Sequence, residues 1–198
     1  MNGVDEMGSK AEAALFMIDG FEETEAVTTA DIMRRAEIDV VTVSLGESRR
    51  LTGRSRITVE TDVMFCDVRN LVFDMLVIPG GTTAYAKHDG LLGMVKKHND
   101  LGKKLAAICA APAVFGKLGI LRGRRAVIFP GLEEWLDGAF ISGEIVVTDG
   151  NITTSKGPGT AVYFALRLVE ILCGSAAADL VAEPFHVQEL KRRIPALY

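Results

Sequence analysis

Cys109 has the position expected of a reactive thiol. It follows the apolar residues 105–108 and precedes a predicted helix over residues 111–118, and its neighbours Ala107 and Ala110 are small. A strand-to-helix elbow needs small flanking residues because the backbone is crowded there. The free N–H groups at the start of the helix favour a thiolate and could lower the pKa of the thiol from about 8.5 to well below 7. The alternative is that Cys109 is one more small buried hydrophobic residue.

Gly80 and Gly81 could supply an oxyanion site beside this thiol. They follow the apolar residues 75–78 and Pro79. Two glycines let backbone N–H groups approach a ligand without obstruction by a Cβ atom, and the N–H of Ala110 could act with them. A plain tight turn would also explain the two glycines.

Three carboxylates, Glu22, Glu23 and Glu25, begin the first predicted helix. Such residues commonly do no more than interact favourably with the helix dipole. One of them could instead point towards the thiol. Because a carboxylate beside a thiolate is repelled, that side chain would hold a proton and share it with the sulfur as a coupled pair.

The elements that position these loops alternate between strand and helix. The predicted strands cover residues 13–18, 40–45, 57–63, 75–78, 105–108, 126–129, 145–148 and 152–155. The predicted helices cover residues 22–36, 91–101, 111–118, 159–172 and 176–182. Alternation of this kind predicts an α/β fold with a mainly parallel sheet that has helices on both faces. Functional loops are then expected at the carboxyl ends of the strands.

The composition is that of a globular protein. Of 198 residues, 48% are hydrophobic and 24% are charged, which is outside the disordered classes. The net charge of -4 makes nucleic acid an unlikely partner. There is no apolar run of membrane-spanning length and no sequence shaped like a secretory signal, so we expect a cytoplasmic protein without a membrane partner.

The cysteines and histidines do not suggest a disulfide or a metal site. Three widely spaced cysteines, Cys66, Cys109 and Cys173, predict reduced thiols. The three histidines form no ligand-spaced set, so we expect no metal. Along the chain we expect a flexible arm over residues 1–11, one domain over residues 12–185 and a tail over residues 186–198.

Five segments occur in an order that resembles one protein superfamily. They are residues 20–27 (GFEETEAV), 33–36 (MRRA), 77–81 (VIPGG), 106–112 (AAICAAP) and 154–160 (TSKGPGT). Together they resemble the ThiJ/PfpI superfamily, and within it the branch of the parkinsonism-associated protein deglycase and its bacterial YajL-type relatives.

This resemblance implies a flavodoxin-like three-layer sandwich and a homodimer with Arg35 near its interface. It also implies an oxidation-sensitive nucleophile at Cys109, a protonated carboxyl at Glu25 and no cofactor. The backbone donors that it places at the sulfur are those of Gly80, Gly81 and Ala110.

The sequence departs from the superfamily pattern at Phe129. Many members have a histidine shortly before a proline at this place, whereas here Phe129 precedes Pro130. A histidine-assisted triad is therefore not predicted. Phe129 and Pro130 are expected to line the pocket and make it drier, which leaves proton transfer to Glu25 or to water.

Two functions fit these features. The first is a deglycase or glyoxalase that acts on 2-oxoaldehydes or on their protein adducts through Cys109 and Glu25. The second is a redox sensor or chaperone that responds to oxidation of Cys109 and has little catalytic activity. A peptidase is a weaker third option, because the usual histidine base is missing.

Overall fold

A computed structural model describes residues 10–187, Glu189 and Arg192. The predicted N-terminal arm lies outside the described residues except for Lys10 and Ala11. Most of the predicted tail over residues 186–198 also lies outside them.

A central sheet of seven strands organises the described residues. The strands of the protein are β1 Glu12–Met17, β2 Asp39–Ser44, β3 Arg50–Thr52, β4 Thr58–Glu60, β5 Val63–Met64, β6 Met75–Ile78, β7 Lys104–Ile108, β8 Arg125–Ala126, β9 Phe140–Ile141, β10 Val146–Asp149 and β11 Ile152–Ser155. Their order in the central sheet is β10-β11-β7-β6-β1-β2-β5. Every pair is parallel except β10 with β11, which form the predicted hairpin.

Helices pack around this sheet. They are α1 Glu23–Arg35, α2 Phe65–Val68, α3 Asp89–Asp100, α4 Ala113–Lys117, α5 Ala161–Cys173 and α6 Ser175–Ala182. The predicted mainly parallel α/β architecture is confirmed. Strands β1, β6 and β7 lie side by side in the middle of the sheet, and their apolar residues are buried. Continuous apolar segments are what strands covered on both faces require.

The single strand predicted over residues 57–63 is wrong, because the chain divides it into β4 and β5. Between them, the Asp62 carboxylate accepts hydrogen bonds from the Thr42 backbone N–H at 2.8 Å and from the Thr42 hydroxyl at 2.7 Å. It also pairs with Arg34 at 2.6 Å. These bonds direct the chain towards β2, while β4 pairs with β3 in a separate antiparallel hairpin.

The strand predicted over residues 126–129 is also mostly wrong, since β8 ends at Ala126. The backbone N–H groups of residues 127 and 129 do not take part in β-sheet hydrogen bonding. Val127 donates to the Thr154 hydroxyl at 3.0 Å, and Phe129 donates to the Cys109 carbonyl at 2.8 Å. An apolar run alone does not show whether its N–H groups bond within a β-sheet or to acceptors of this kind.

None of the helices among the described residues is long and apolar enough to span a membrane.

His98 on α3 is a fully buried polar residue that the fold uses structurally. Its Nε2 accepts a hydrogen bond from the Phe73 N–H at 3.0 Å, and its Nδ1 lies 2.8 Å from the Met94 carbonyl. Only the neutral ring with its proton on Nδ1 satisfies both contacts. Burial accordingly lowers the pKa of His98 below its usual value.

We predict that His98 makes the fold sensitive to acid. Because the folded-state pKa is lowered, the contribution of His98 to stability is complete above about pH 6.5 and falls as pH drops towards the folded-state pKa. His98→Ala should lower the free energy of unfolding at pH 7.5 by about 2 kcal/mol or more, and the urea midpoint with it, because the Phe73 N–H loses its acceptor. It should also weaken the dependence of the midpoint on pH between 7.5 and 5. Equal pH dependence in both proteins would contradict this role, and the exposed His186→Ala is the control.

Candidate active site

Cys109 lies in a strained elbow at the carboxyl end of β7. Its φ angle is 64°, a left-handed conformation that is unfavourable for a side chain with a Cβ atom. The backbone is held on both sides, since the Cys109 N–H donates to the Ser155 carbonyl at 2.9 Å and its carbonyl accepts from Phe129. The neighbouring strand end and the loop after β8 therefore fix the direction of the thiol.

The expectation of a lowered thiol pKa is wrong in this structure. Helix α4 begins at Ala113 rather than at residue 111 and has five residues, so its dipole is short and is separated from the sulfur. Burial is the largest effect on Cys109, and with the adjacent charge of Glu25 it raises the pKa of the thiol to about 12. The N–H groups of Gly81 and Ala110 act in the opposite direction at the sulfur.

Glu25 is the carboxyl group that reaches the thiol. It is on the first turn of α1 and is 0% exposed. Its backbone N–H donates to the Glu22 carboxylate at 2.8 Å, which caps the helix and fixes its first turn. Burial raises the pKa of Glu25 to about 7, the charge of Glu22 adds to this effect, and hydrogen bonds from Gly80 and Cys109 oppose it.

Gly80 is the point where these groups converge. A Cβ atom at Gly80 would lie 2.5 Å from the Cβ of Cys109, 2.9 Å from Oε2 of Glu25 and 3.0 Å from the N atom of Ala110. No side chain fits there. The Gly80 N–H donates to Oε2 of Glu25 at 2.7 Å, so it holds the carboxyl and is not a donor at the sulfur, contrary to the expectation for this residue.

Gly81 also occupies a position where no side chain fits. Its φ angle is 95°, and a Cβ atom would lie 2.4 Å from the N atom of Glu22 and from the carbonyl oxygen of Gly20. The loop after β6 therefore lies directly against the loop after β1. This contact brings the Gly81 N–H to the sulfur of Cys109.

The two titrating groups behave as a pair. Both pKa values are raised, because each group is buried and each resists a second negative charge nearby. Transfer of a proton between the sulfur and the carboxyl leaves the total charge unchanged, and the Gly81 and Ala110 N–H groups are in place to bind the thiolate. The pair can thus supply a nucleophile and an acid together.

The pocket wall at Phe129 is more open than expected. The Phe129 side chain is 44% exposed, and Pro130 is also exposed. Gly157 lies beside the Phe129 ring, since a Cβ atom there would be 3.4 Å from it. Phe129 contributes to the site mainly through its backbone N–H, which holds the elbow at Cys109.

Sequence reasoning missed Arg54. This residue belongs to the hairpin of β3 and β4, and its positive charge lowers the pKa of Glu25. The basic run over residues 49–56 was the available signal, but the electrostatic effect of Arg54 on Glu25 depends on tertiary structure. No group of three or more His, Cys, Asp or Glu side chains in the described part of the chain is placed to hold a metal ion.

Comparisons with known proteins support one family. The sequence matches the DJ-1/PfpI family over residues 11–171. Protein DJ-1 homolog B of Arabidopsis thaliana is 38% identical over 161 residues, which are 79% of this chain and 36% of that protein. Homolog A of the same plant is covered over 41% of its length, so this chain spans less than half of either relative.

Two shorter relatives carry names that describe an activity. Glutathione-independent glyoxalase DJR-1.2 of Caenorhabditis elegans is 32% identical over 168 residues, which cover 82% of this chain and 89% of that protein. Deglycase PYRAB04690 of Pyrococcus abyssi is 30% identical over 159 residues, which cover 78% of this chain and 95% of that protein.

Solved structures agree with these matches. A DJ-1 superfamily protein from Salmonella typhimurium has a TM-score of 0.85 and 34% identity, with 89% of this chain and 98% of that chain covered. Oxidized DJ-1 of Toxoplasma gondii has a TM-score of 0.85 and 31% identity, with 88% and 97% covered. The fold is therefore flavodoxin-like, as predicted. By its sequence match and by relatives that it covers along most of their length, this chain belongs to the DJ-1/PfpI family.

Proposed function

We propose that this protein is a cofactor-free, cysteine-dependent enzyme that acts on 2-oxoaldehydes such as methylglyoxal, or on the adducts that they form with proteins. The observation that carries this proposal is the meeting of Glu25, Cys109 and two backbone N–H groups around Gly80. The relatives named as a glyoxalase and a deglycase support the same class of substrate.

The first step is addition of Cys109 to the aldehyde carbon. The thiol proton moves to Glu25 as the S–C bond forms, and the carbonyl π electrons move to the oxygen. The N–H groups of Gly81 and Ala110 stabilise the developing negative charge at this centre. Return of the proton to that oxygen gives a hemithioacetal, with no net change in oxidation state.

The second step is a proton transfer between two carbons. Glu25 removes the proton from the former aldehyde carbon and returns a proton to the adjacent carbon, which converts the hemithioacetal into a thioester of a 2-hydroxy acid. Water then breaks the C–S bond and releases the hydroxy acid and the Cys109 thiol. The overall reaction adds one water molecule to the oxoaldehyde and requires no oxidant or reductant.

A redox function is the second candidate. Two molecules of hydrogen peroxide would oxidise Cys109 through the sulfenic acid to a sulfinic acid, with release of two water molecules. The added oxygen atoms would lie where the protonated Glu25 carboxyl and the N–H groups of Gly81 and Ala110 can donate to them. The Toxoplasma gondii structure was determined for an oxidized DJ-1. A sensor or chaperone role in the cytoplasm would act through this oxidised form.

We predict that lactate forms from methylglyoxal and that Cys109→Ser abolishes it, because the hydroxyl is a much weaker nucleophile than the thiol at neutral pH. Steady-state assay of metal-stripped protein measures this activity. The matched control is Cys66→Ser, which changes an exposed thiol on α2. Equal turnover in wild type and Cys109→Ser would exclude the covalent mechanism.

We predict opposite effects of Glu25→Gln on stability and turnover. The raised pKa means that stability falls as pH rises from the unfolded-state value of 4.5 through about 7, because folding then has to bury a carboxylate. Glutamine removes that cost, so the variant should gain about 3 kcal/mol relative to wild type at pH 8 and much less at pH 4. Turnover should fall about 100-fold or more.

Chemical denaturation at several pH values and the lactate assay check both effects. The control is Glu37→Gln, which changes an exposed carboxylate that follows α1. Wild-type and Glu25→Gln stabilities that run parallel from pH 4 to 8 would show that Glu25 is not a buried titrating group.

We also predict that the protein is a homodimer. Val27 is 53% exposed on α1, and this helix ends at Arg35, near which the resemblance places the interface. Sedimentation equilibrium at micromolar concentration should give twice the chain mass of 21.3 kDa. A mass equal to that of one chain would contradict the prediction.

A further inference from the structure

The hairpin of β3 and β4 is docked on the loop that leads into α1. The Gly20 N–H donates to the Thr52 carbonyl at 2.8 Å, and the Thr52 N–H donates to the Asp19 carboxylate at 2.8 Å. At the tip of the hairpin, the Arg54 N–H donates to the Phe21 carbonyl at 2.9 Å. The hairpin is thus fastened along the loop that also carries the first turn of α1.

Glu23 fastens the tip of this hairpin. It is 7% exposed, and its Oε1 accepts hydrogen bonds from the N–H groups of Ser55 at 2.8 Å and Ile57 at 3.3 Å. A Cβ atom at Gly53 would lie 2.3 Å from the carboxyl carbon of Glu23, so the tip closes tightly over this carboxylate. These hydrogen bonds hold its pKa below the usual value although burial acts in the opposite direction.

The backbone of Arg54 is held at this tip, whereas its side chain has no bonded partner in the described part of the chain. Its side chain forms no ion pair or hydrogen bond within the described residues, whereas Arg49 of the same hairpin pairs with Glu60. Phe21, whose carbonyl accepts the hydrogen bond from the Arg54 N–H, lies against Gly81, since a Cβ atom at Gly81 would be 2.5 Å from the carbonyl carbon of Phe21. The tip of the hairpin therefore lies next to the loops of the candidate active site, and the charge of Arg54 lowers the pKa of Glu25.

The other carboxylates in this region are already engaged by backbone N–H groups. Asp19 accepts from Thr52, Glu22 accepts from Glu25, and Glu23 accepts from Ser55. Arg54 therefore has no ion-pair partner among the described residues, at a hairpin tip that lies against the loops of the candidate active site. An anionic oxygen on a bound molecule would provide that partner through a charge-assisted hydrogen bond.

We propose that Arg54 is a specificity-determining residue that recognises an anionic group, a carboxylate or a phosphate, on the carbonyl compound that reacts with Cys109. Glu23 is the positioning residue that holds Arg54 in place. This inference rests on the proposed function, since it assigns a substrate class to the same site.

Glyoxylate and methylglyoxal are the probes. Both present an aldehyde to the thiol, and they differ mainly in a carboxylate that replaces an acetyl group. With either probe, the S–C bond forms as the thiol proton is transferred to the former aldehyde oxygen. Each adduct protects Cys109 from alkylation, so the ratio of the two half-protecting concentrations measures the preference for the anion.

The experiment measures protection of Cys109 from iodoacetamide, read by peptide mass spectrometry. Arg54→Gln should lower the preference for glyoxylate over methylglyoxal about tenfold, the effect of losing one charged hydrogen bond near the surface. Arg56→Gln removes the same charge from the same turn and should leave the ratio unchanged. Glu23→Ala should reproduce the effect of Arg54→Gln, and Glu23→Gln should restore the preference because its amide oxygen still accepts from Ser55 and Ile57.

The ratio of the half-protecting concentrations of glyoxylate and methylglyoxal distinguishes the possible outcomes. An unchanged ratio in Arg54→Gln, or an equal fall in Arg56→Gln, would overturn the proposal, since the second result would mean general attraction by positive charge. Absence of glyoxylate protection in wild type would overturn it as well. Failure of the proposed function would give a different result. Wild-type protein would then form no lactate from methylglyoxal, while its protection by glyoxylate would still depend on Arg54. If Glu23→Ala does not fold, Arg54→Gln decides the question alone.

Discussion

The structure depends on the burial of one carboxyl group and one thiol against each other at a place where no side chain separates them. Gly80 leaves the space in which Glu25 and Cys109 meet, and its N–H fixes the carboxyl. In a low-dielectric site, two adjacent negative charges are strongly unfavourable. The pair therefore holds a proton at neutral pH, and the position of that proton determines whether the site presents a thiol or a thiolate.

The fold supplies the constraints that keep this pair together. Strands β1, β6 and β7 lie side by side, so the loops that follow them meet at one edge of the sheet. The left-handed conformation of Cys109 persists because Ser155 and Phe129 bond its backbone on both sides. The site thus combines a strained backbone with a buried carboxyl, two features that are unfavourable for stability and are typical of functional sites.

Local sequence pattern predicted the architecture and the loops that carry the candidate site, whereas the choice of Glu25 among three carboxylates came from the family resemblance. Continuous apolar runs predicted the central strands, and the loops containing Cys109, Gly80 and Glu25 fell at their carboxyl ends. Pattern did not predict the hairpin that carries Arg54, because that hairpin is held by bonds to a distant loop. The direction of the thiol pKa was also predicted wrongly, because burial and the charge of Glu25 outweigh a short helix.

The central claim is that Glu25 and Cys109 titrate as one coupled pair. Nuclear magnetic resonance of the labelled Glu25 carboxyl carbon, recorded with ultraviolet absorbance of the thiolate across one pH titration, tests it most directly. The account predicts that the carboxyl titrates near pH 7, that the thiolate forms in a separate step at much higher pH, and that Cys109→Ser changes the carboxyl midpoint. A carboxyl that titrates near 4.5, with a thiol that titrates at its usual pH and no change in Cys109→Ser, would contradict it.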